Sequence, residues 1–299
     1  MCDPDFLLEE ARAQLNGFTV ERGDYPWNGA DVVGLIVTDR QAVREPDLER
    51  LPALRAIASA TVGLDHVAVE AAERRGVAVV NVPDYCIEEM ADSTVALLLA
   101  LVRGVVALDQ SVRAGSWDHA AAGLLRRVAG TRLGIVGFGR IGRAVARRAL
   151  ALGFEVWATD PTVPAAEIAV ASVRPARLEE LLAACDAVTL HLPLTPETEE
   201  LIGARELELM PPRAMLVNTA RGKLVDVEAL VAALNRGHLS GAALDVLPVE
   251  PPERRPKAPG LIVTPHAAWY SPVAEREARA RALAALRAAL ASPDVDDSR

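Results

Sequence analysis

The chain has 299 residues, of which 51% are hydrophobic and 24% charged. That length suits two domains of about 100–200 residues each, and the composition excludes intrinsic disorder. A net charge of −9 argues against nucleic acid as a partner, because such a footprint needs a basic patch.

The longest apolar run, Val95 to Val102, is far short of the about 20 residues of a bilayer span, so no membrane partner is expected. The N-terminus Met1-Cys2-Asp3-Pro4-Asp5 is acidic and lacks the basic-then-apolar pattern of a signal peptide. The cysteines are Cys2, Cys86 and Cys185, an odd and scattered set. They offer neither a disulfide frame nor a zinc site, so no metal is expected, and they fit a reducing, cytoplasmic setting.

Short apolar segments recur along the chain. Val32–Val37, Ala56–Ala58, Val77–Val80, Leu133–Val136, Val156–Ala158, Ala187–Leu190, Met215–Val217, Gly241–Leu244 and Leu261–Val263 read as strands. They are apolar on both faces, as in a parallel sheet covered by helices. Between them lie segments of helical spacing, such as Ile141–Leu152, Glu179–Ala184 and Val227–Asn235. Alternation of this kind predicts an α/β, doubly wound fold.

The longest helical candidate is Ile87–Val112, after Pro83-Asp84 and before Gly115. It is long enough to cross between domains or to form a dimer arm, and equally readable as a buried core helix. Boundaries fall near 82–84 and 269–271, and a final helix, Pro272–Leu290, follows the last strand. A central domain, 83–269, is therefore expected to be inserted in an outer domain made of 1–82 and 270–299.

Gly137-Phe138-Gly139-Arg140-Ile141-Gly142 fits GxGxxG, between a strand and a helix as that motif requires. Gly137 permits the tight turn, Gly139 lets a pyrophosphate approach the backbone, and Gly142 allows close packing of helix on strand. The N–H groups of Arg140 and Ile141 are expected to face phosphates at the helix N-terminus. The next strand ends at Asp160. A carboxylate there accepts hydrogen bonds from the adenosine ribose and repels a 2′-phosphate, which favours NAD over NADP.

Three later segments each place a polar group just beyond an apolar strand: Arg221 in Asn218–Gly222, Glu250 in Asp245–Pro251, and His266 in Thr264–Ala268. Ligands of open α/β sheets bind beyond the carboxyl ends of strands, so the three are expected to converge. Arginine holds a carboxylate bidentately. Histidine transfers protons near neutral pH, and a neighbouring carboxylate supports the charged ring and its tautomer. His191, at a strand end, borders the expected cofactor site, whereas His66, His119 and His238 read as surface or capping groups.

These motifs, together with Thr61-Val62-Gly63-Leu64-Asp65, Asn81-Val82-Pro83 and Ala91-Asp92-Ser93-Thr94, resemble the D-isomer-specific 2-hydroxyacid dehydrogenase family over about Val32 to Leu290. The resemblance implies two Rossmann-like or flavodoxin-like domains with parallel sheets, the cofactor domain inserted in a discontinuous substrate domain. It also implies a cleft between them and a homodimer built on the long helix. The implied reaction interconverts a 2-oxo acid and a D-2-hydroxy acid with NAD(H).

Arg221 is then implied to hold the substrate carboxylate and carbonyl. His266 gives a proton to the 2-oxo group, and Glu250 pairs with His266. The N–H groups of Val62 and Gly63 bind the substrate carboxylate. Asp245 contacts the nicotinamide carboxamide, and Thr94, His191, Thr198, Thr219 and Ala220 line the cofactor.

The run Thr264–Ser271 is similar to the C-terminal-binding protein branch, whose animal members are NAD-sensing corepressors. That leaves an NAD(H)-sensing binding protein as the alternative to an enzyme. Glu250 stands where formate dehydrogenases carry Gln, which disfavours formate. Trp269 reads either as a cleft residue favouring an apolar or thioether substrate side chain or as ordinary packing. Family members usually begin with an apolar strand, and Asp3-Pro4-Asp5-Phe6 reads as the segment just after it. A first strand is therefore expected to be missing, which would leave an exposed sheet edge.

Overall fold

Each strand expected from the sequence forms, with ends shifted by no more than two residues, and every pairing is parallel. The computed structural model describes residues 8–291, and these divide into two units, 8–85 with 271–291, and 86–270.

The first unit contains α1 (Leu8–Gln14), β1 (Gly34–Val37), α2 (Glu45–Glu49), β2 (Ala56–Ser59), α3 (Val69–Arg74) and β3 (Ala78–Val80). Its strands lie in the order β1-β2-β3. The helix Pro272–Ala291 packs on this sheet and buries Ala274, Ala278, Ala282, Leu286 and Leu290, a four-residue spacing that lines up one face. On the opposite side Trp27, Leu35, Leu48, Leu51 and Ile57 form the core. The segment 3–6, expected to follow a missing strand, and Cys2 lie outside the described residues.

The second unit holds, in chain order, α4 (Ile87–Val102), α5 (Val105–Arg113), β4 (Arg132–Val136), α6 (Arg140–Ala151), β5 (Glu155–Thr159), α7 (Ala165–Val170), β6 (Arg174–Pro175), α8 (Leu178–Ala184), β7 (Ala187–Leu190), α9 (Ala204–Leu209), β8 (Ala214–Asn218), α10 (Val227–Asn235), β9 (Leu239–Leu244) and β10 (Leu261–Val263). Its sheet runs β10-β9-β8-β7-β4-β5-β6. From β4 the chain builds outward to β6, then returns to add β7 on the other side. The switch point therefore lies between β4 and β7, where such sheets open a crevice for a ligand. A separate apolar cluster covers each face of the sheet, one around Leu181, Leu216 and Leu230, the other around Leu98, Ile135 and Val145.

Two sequence expectations need correction, and one strand is added. The single helix Ile87–Val112 is two helices, bent by 61°. Gly104 sits at the break with φ of 61°, and a Cβ there would lie 2.7 Å from Ala122 Cβ and Leu125 Cδ2. Glycine is thus demanded twice, by the left-handed backbone and by the close approach of the following segment. The longest helix is instead Pro272–Ala291.

Second, burial on both faces does not extend to β3 and β10, which lie at sheet edges and are only partly covered. The added strand, the short edge strand β6, was not foreseen, since two residues carry no periodicity. Among the described residues no single helix is long and apolar enough to cross a membrane.

Candidate active site

The glycine turn follows directly from β4. Gly137 has φ of 99°, and its N–H donates to Thr159 O at the end of β5. A Cβ on Gly137 would meet His191 O at 2.5 Å, so the turn rests on the backbone that leaves β7. A Cβ on Gly142 would meet Gly137 O at 2.1 Å. Only glycine allows α6 to start this close to β4. A Cβ on Gly139 would meet nothing within 4 Å. Arg140 and Ile141 open α6, with Gly139 as its N-cap. Their first-turn N–H groups have no partner within the helix and face the switch point with the positive end of the helix dipole.

Asp160 borders the same turn. Its Oδ2 accepts the Phe138 N–H at 2.7 Å, and its Oδ1 accepts the N–H groups of Thr162 and Val163 and the Thr162 hydroxyl. Burial alone would raise its pKa, but these donors outweigh burial and the net shift is downward, so it stays ionised. His191 Nε2 lies 3.1 Å from Thr189 Oγ1, while its buried Nδ1 has no protein partner. Desolvation pushes its pKa down to about 3, so the ring is neutral. A bare helix N-terminus, an ionised carboxylate beside it and an orphaned ring nitrogen together fit a dinucleotide.

The three polar loops leave neighbouring strands of this same sheet. His266 Nδ1 lies 2.6 Å from Glu250 Oε2, and the Leu247 N–H donates to Glu250 Oε1 at 2.7 Å. An ionised carboxylate only accepts, so Nδ1 carries the proton in this pair. Burial pushes the Glu250 pKa up. The bonds from His266 and Leu247, with the charges of His266 and Arg221, pull it down further, and the net shift is downward. Both side chains are about one-third exposed.

Arg221 follows β8 with extended backbone, φ −141° and ψ 135°. Its Nη1 donates to Ala220 O at 2.8 Å. Its charge is the smallest of the causes that lower the Glu250 pKa.

His266 itself has φ of 53°, a left-handed conformation that costs a β-carbon residue about 1–2 kcal/mol. Asp245, 2% exposed, offsets this. Its carbonyl accepts the His266 N–H at 2.8 Å. Its carboxylate accepts the N–H groups of Ala267 and Ala268 and the Thr264 hydroxyl. Ser93 on α4 donates to Ala268 O, and Thr94 shares a 2.9 Å hydrogen bond with Thr219. One helix thus touches the turns of both His266 and Arg221.

Sequence reasoning missed these supports: Asn218, Asp245 as a turn clamp, Ser93 and Thr264. The available signal was a strand ending in Asn or Asp before a turn, where such side chains bond the backbone just ahead.

The remaining expected residues are placed as follows. Thr198 accepts the Thr195 N–H and donates to Pro193 O, organising its own loop. Trp269 packs edge-on against Tyr270, with centroids 5.5 Å apart. Val62 and Gly63 belong to the first unit. Asn81 Nδ2 donates to the Val62 carbonyl and Thr61 Oγ1 to that of Gly63, so the loop after β2 is held by its own side chains. Of the other histidines, His66 Nε2 pairs with Ser59 Oγ and His238 Nε2 with Leu207 O.

A parallel sheet with a glycine turn at its switch point, and a carboxylate–imidazole pair beyond neighbouring strands, defines a dinucleotide-dependent class of protein. Residues 95–268 match the NAD binding domain of the D-isomer specific 2-hydroxyacid dehydrogenases, and the chain belongs to that family.

It is 39% identical over 253 residues to a glycerate dehydrogenase of Methylorubrum extorquens, covering 81% of this chain and 77% of that one. It is 43% identical over 229 residues to a glyoxylate reductase of Thermococcus gammatolerans, covering 74% and 68%. Among solved structures it is similar to a D-lactate dehydrogenase of Aquifex aeolicus complexed with NAD and lactic acid. That likeness has a TM-score of 0.80 and 29% identity, covering 87% of this chain and 83% of that one.

Proposed function

We propose that the protein interconverts a 2-oxo acid and a D-2-hydroxy acid with NAD(H), using His266 as general acid and base. The observation that carries this reading is the 2.6 Å bond from His266 Nδ1 to Glu250, next to an Arg221 turn on the same sheet.

NADH, when bound, supplies a hydride to C2 of the oxo acid. His266 donates the proton from Nε2 to the oxygen on C2. Glu250 complements the charged ring before that transfer and holds its orientation throughout. Arg221 binds the substrate carboxylate and polarises the carbonyl, which orients C2 and costs little reorganisation. In the oxidative direction the neutral ring takes the same proton back. Val62 and Gly63 enter as carboxylate donors on the strength of their sequence motif, and Trp269 enters as a contact for the substrate side chain.

For the cofactor, we assign Gly137, Gly139, Arg140, Ile141 and Gly142 to the pyrophosphate and Asp160 to the ribose. Thr94, His191, Thr198, Thr219, Ala220 and Asp245 line the remainder. The relatives named above are reductases and dehydrogenases, which favours the enzyme over an NAD(H)-sensing binding protein. Glycerate, glyoxylate and lactate define the substrate class to try first.

In this reading residues 83–269 form the cofactor domain, and 1–82 with 270–299 the substrate domain. A homodimer is supported by the bent arm. Helix α5 buries no residue, and beyond it Trp117 is 92% and Leu124 76% exposed. A cytoplasmic location is supported by the scattered cysteines, of which Cys86 and Cys185 are buried.

The test is NADH oxidation with a panel of 2-oxo acids that includes glyoxylate, hydroxypyruvate and pyruvate. Turnover of at least one is expected, giving the D-hydroxy acid. Tight NADH binding with no turnover across the panel would overturn the enzyme in favour of the binding protein.

A further inference from the structure

The Arg221 turn is built around one side chain that the reaction itself does not need. Asn218 closes β8 and is 0% exposed. Its Oδ1 accepts the Ala220 N–H at 3.0 Å, and its Nδ2 donates to the Arg221 carbonyl at 2.8 Å. Its own carbonyl accepts the Asp245 N–H at 2.9 Å. Both polar ends of the amide are therefore spent on the two residues that lead into the Arg221 side chain. No other small side chain offers an acceptor and a donor in that geometry: Asp lacks the donor, Ser reaches the Ala220 N–H but not the Arg221 carbonyl as well, and Leu has neither.

The next residue extends the device. A Cβ on Gly222 would lie 2.0 Å from Leu247 C and 2.2 Å from Leu247 O. The turn that Asn218 closes is thus seated directly on the backbone of Leu247, whose N–H holds Glu250. Through this contact the Arg221 turn and the Glu250–His266 pair share one support.

We infer that Asn218 is a positioning residue for Arg221. By clamping the backbone on both sides of the turn, it aims the guanidinium for bidentate capture of the substrate carboxylate. This inference rests on the role proposed above for Arg221. Carboxylate recognition by a guanidinium is directional, and a displacement of about 1 Å in a positioning group costs on the order of 10²-fold.

The experiment is a double-mutant cycle. Asn218→Ala and Asn218→Ser are made in the wild-type and in Arg221→Ala, and each enzyme is assayed for kcat and KM with the best 2-oxo acid of the panel. NADH affinity is followed separately by fluorescence. With Arg221 present, Asn218→Ala is expected to lower kcat/KM by roughly 10–100-fold. A higher KM for the oxo acid should account for most of this, with NADH affinity within about twofold. Asn218→Ser should lose less, because its hydroxyl can still accept the Ala220 N–H. It also carries the test if the alanine variant fails to fold. In Arg221→Ala the same changes should cost less than about twofold, because residues acting as a unit are not additive.

Equal losses in both backgrounds would overturn the inference, as would an NADH affinity that falls in step with kcat/KM. An Arg221→Ala enzyme with undiminished kcat/KM would instead overturn the role of Arg221, and this inference with it.

Discussion

The glycine turn and the polar loops stand beyond the same sheet, yet they are built on opposite plans. The glycine turn works by what is absent. Missing β-carbons at Gly137 and Gly142 let backbones touch, and in the proposed function its N–H groups take the pyrophosphate. The polar loops work by side chains, and each needs a buried clamp: Asn218 for Arg221, and Asp245 for His266. Binding a pyrophosphate takes a shaped stretch of backbone, which a contiguous motif can supply. Proton transfer takes groups of different chemistry at fixed separation, which only several strand ends can supply.

That contrast can be broken most sharply at His266. His266→Ala should lower turnover by about 10²–10⁴-fold, the range of general acid–base catalysis. NADH affinity, measured by fluorescence titration, should stay within about twofold. A parallel loss of both would mean that the two regions are not separable.

A smaller effect is expected at Asp160. The wild-type should prefer NADH to NADPH in kcat/KM, and Asp160→Ala should narrow that preference by roughly tenfold or more, by removing like-charge repulsion of a 2′-phosphate. Because Asp160 also caps the Phe138 N–H, the variant should lose some NADH affinity as well. Equal use of the two cofactors by the wild-type would remove the assignment.

The smallest expected effect concerns Glu250 and pH. Its native pKa lies below the ordinary value of 4.5. A carboxyl with a lowered native pKa binds its proton less readily folded than unfolded. Its stabilisation is therefore complete above the ordinary value and is lost as pH falls through the native one. Thermal melts between about pH 6 and pH 3 should show a shallower decline for Glu250→Gln than for wild-type. Identical slopes would show that the pairing with His266 contributes no linkage.

Much of this protein was legible as pattern. Parallel strands read as apolar runs because helices cover both faces, and the glycine motif is contiguous, so the fold class and the tight turn between β4 and α6 followed from local spacing. Arg221, Glu250 and His266 stood out as polar groups just beyond strands, and their loops do follow the neighbouring strands β8, β9 and β10.

The break at Gly104 was not. Glycine after an apolar run is a helix-stop signal, but the apolar residues resume at Val105, and the deciding contacts come from Ala122 and Leu125. Asn218 and Asp245 were present in the motifs as letters, while their work as clamps depends on turns that close only in three dimensions. Local order along the chain is enough to specify periodicity and contiguous turns. Which groups meet, which nitrogen of His266 holds the proton, and how Gly222 seats one loop on another are set by the sheet, because it brings together residues distant in sequence.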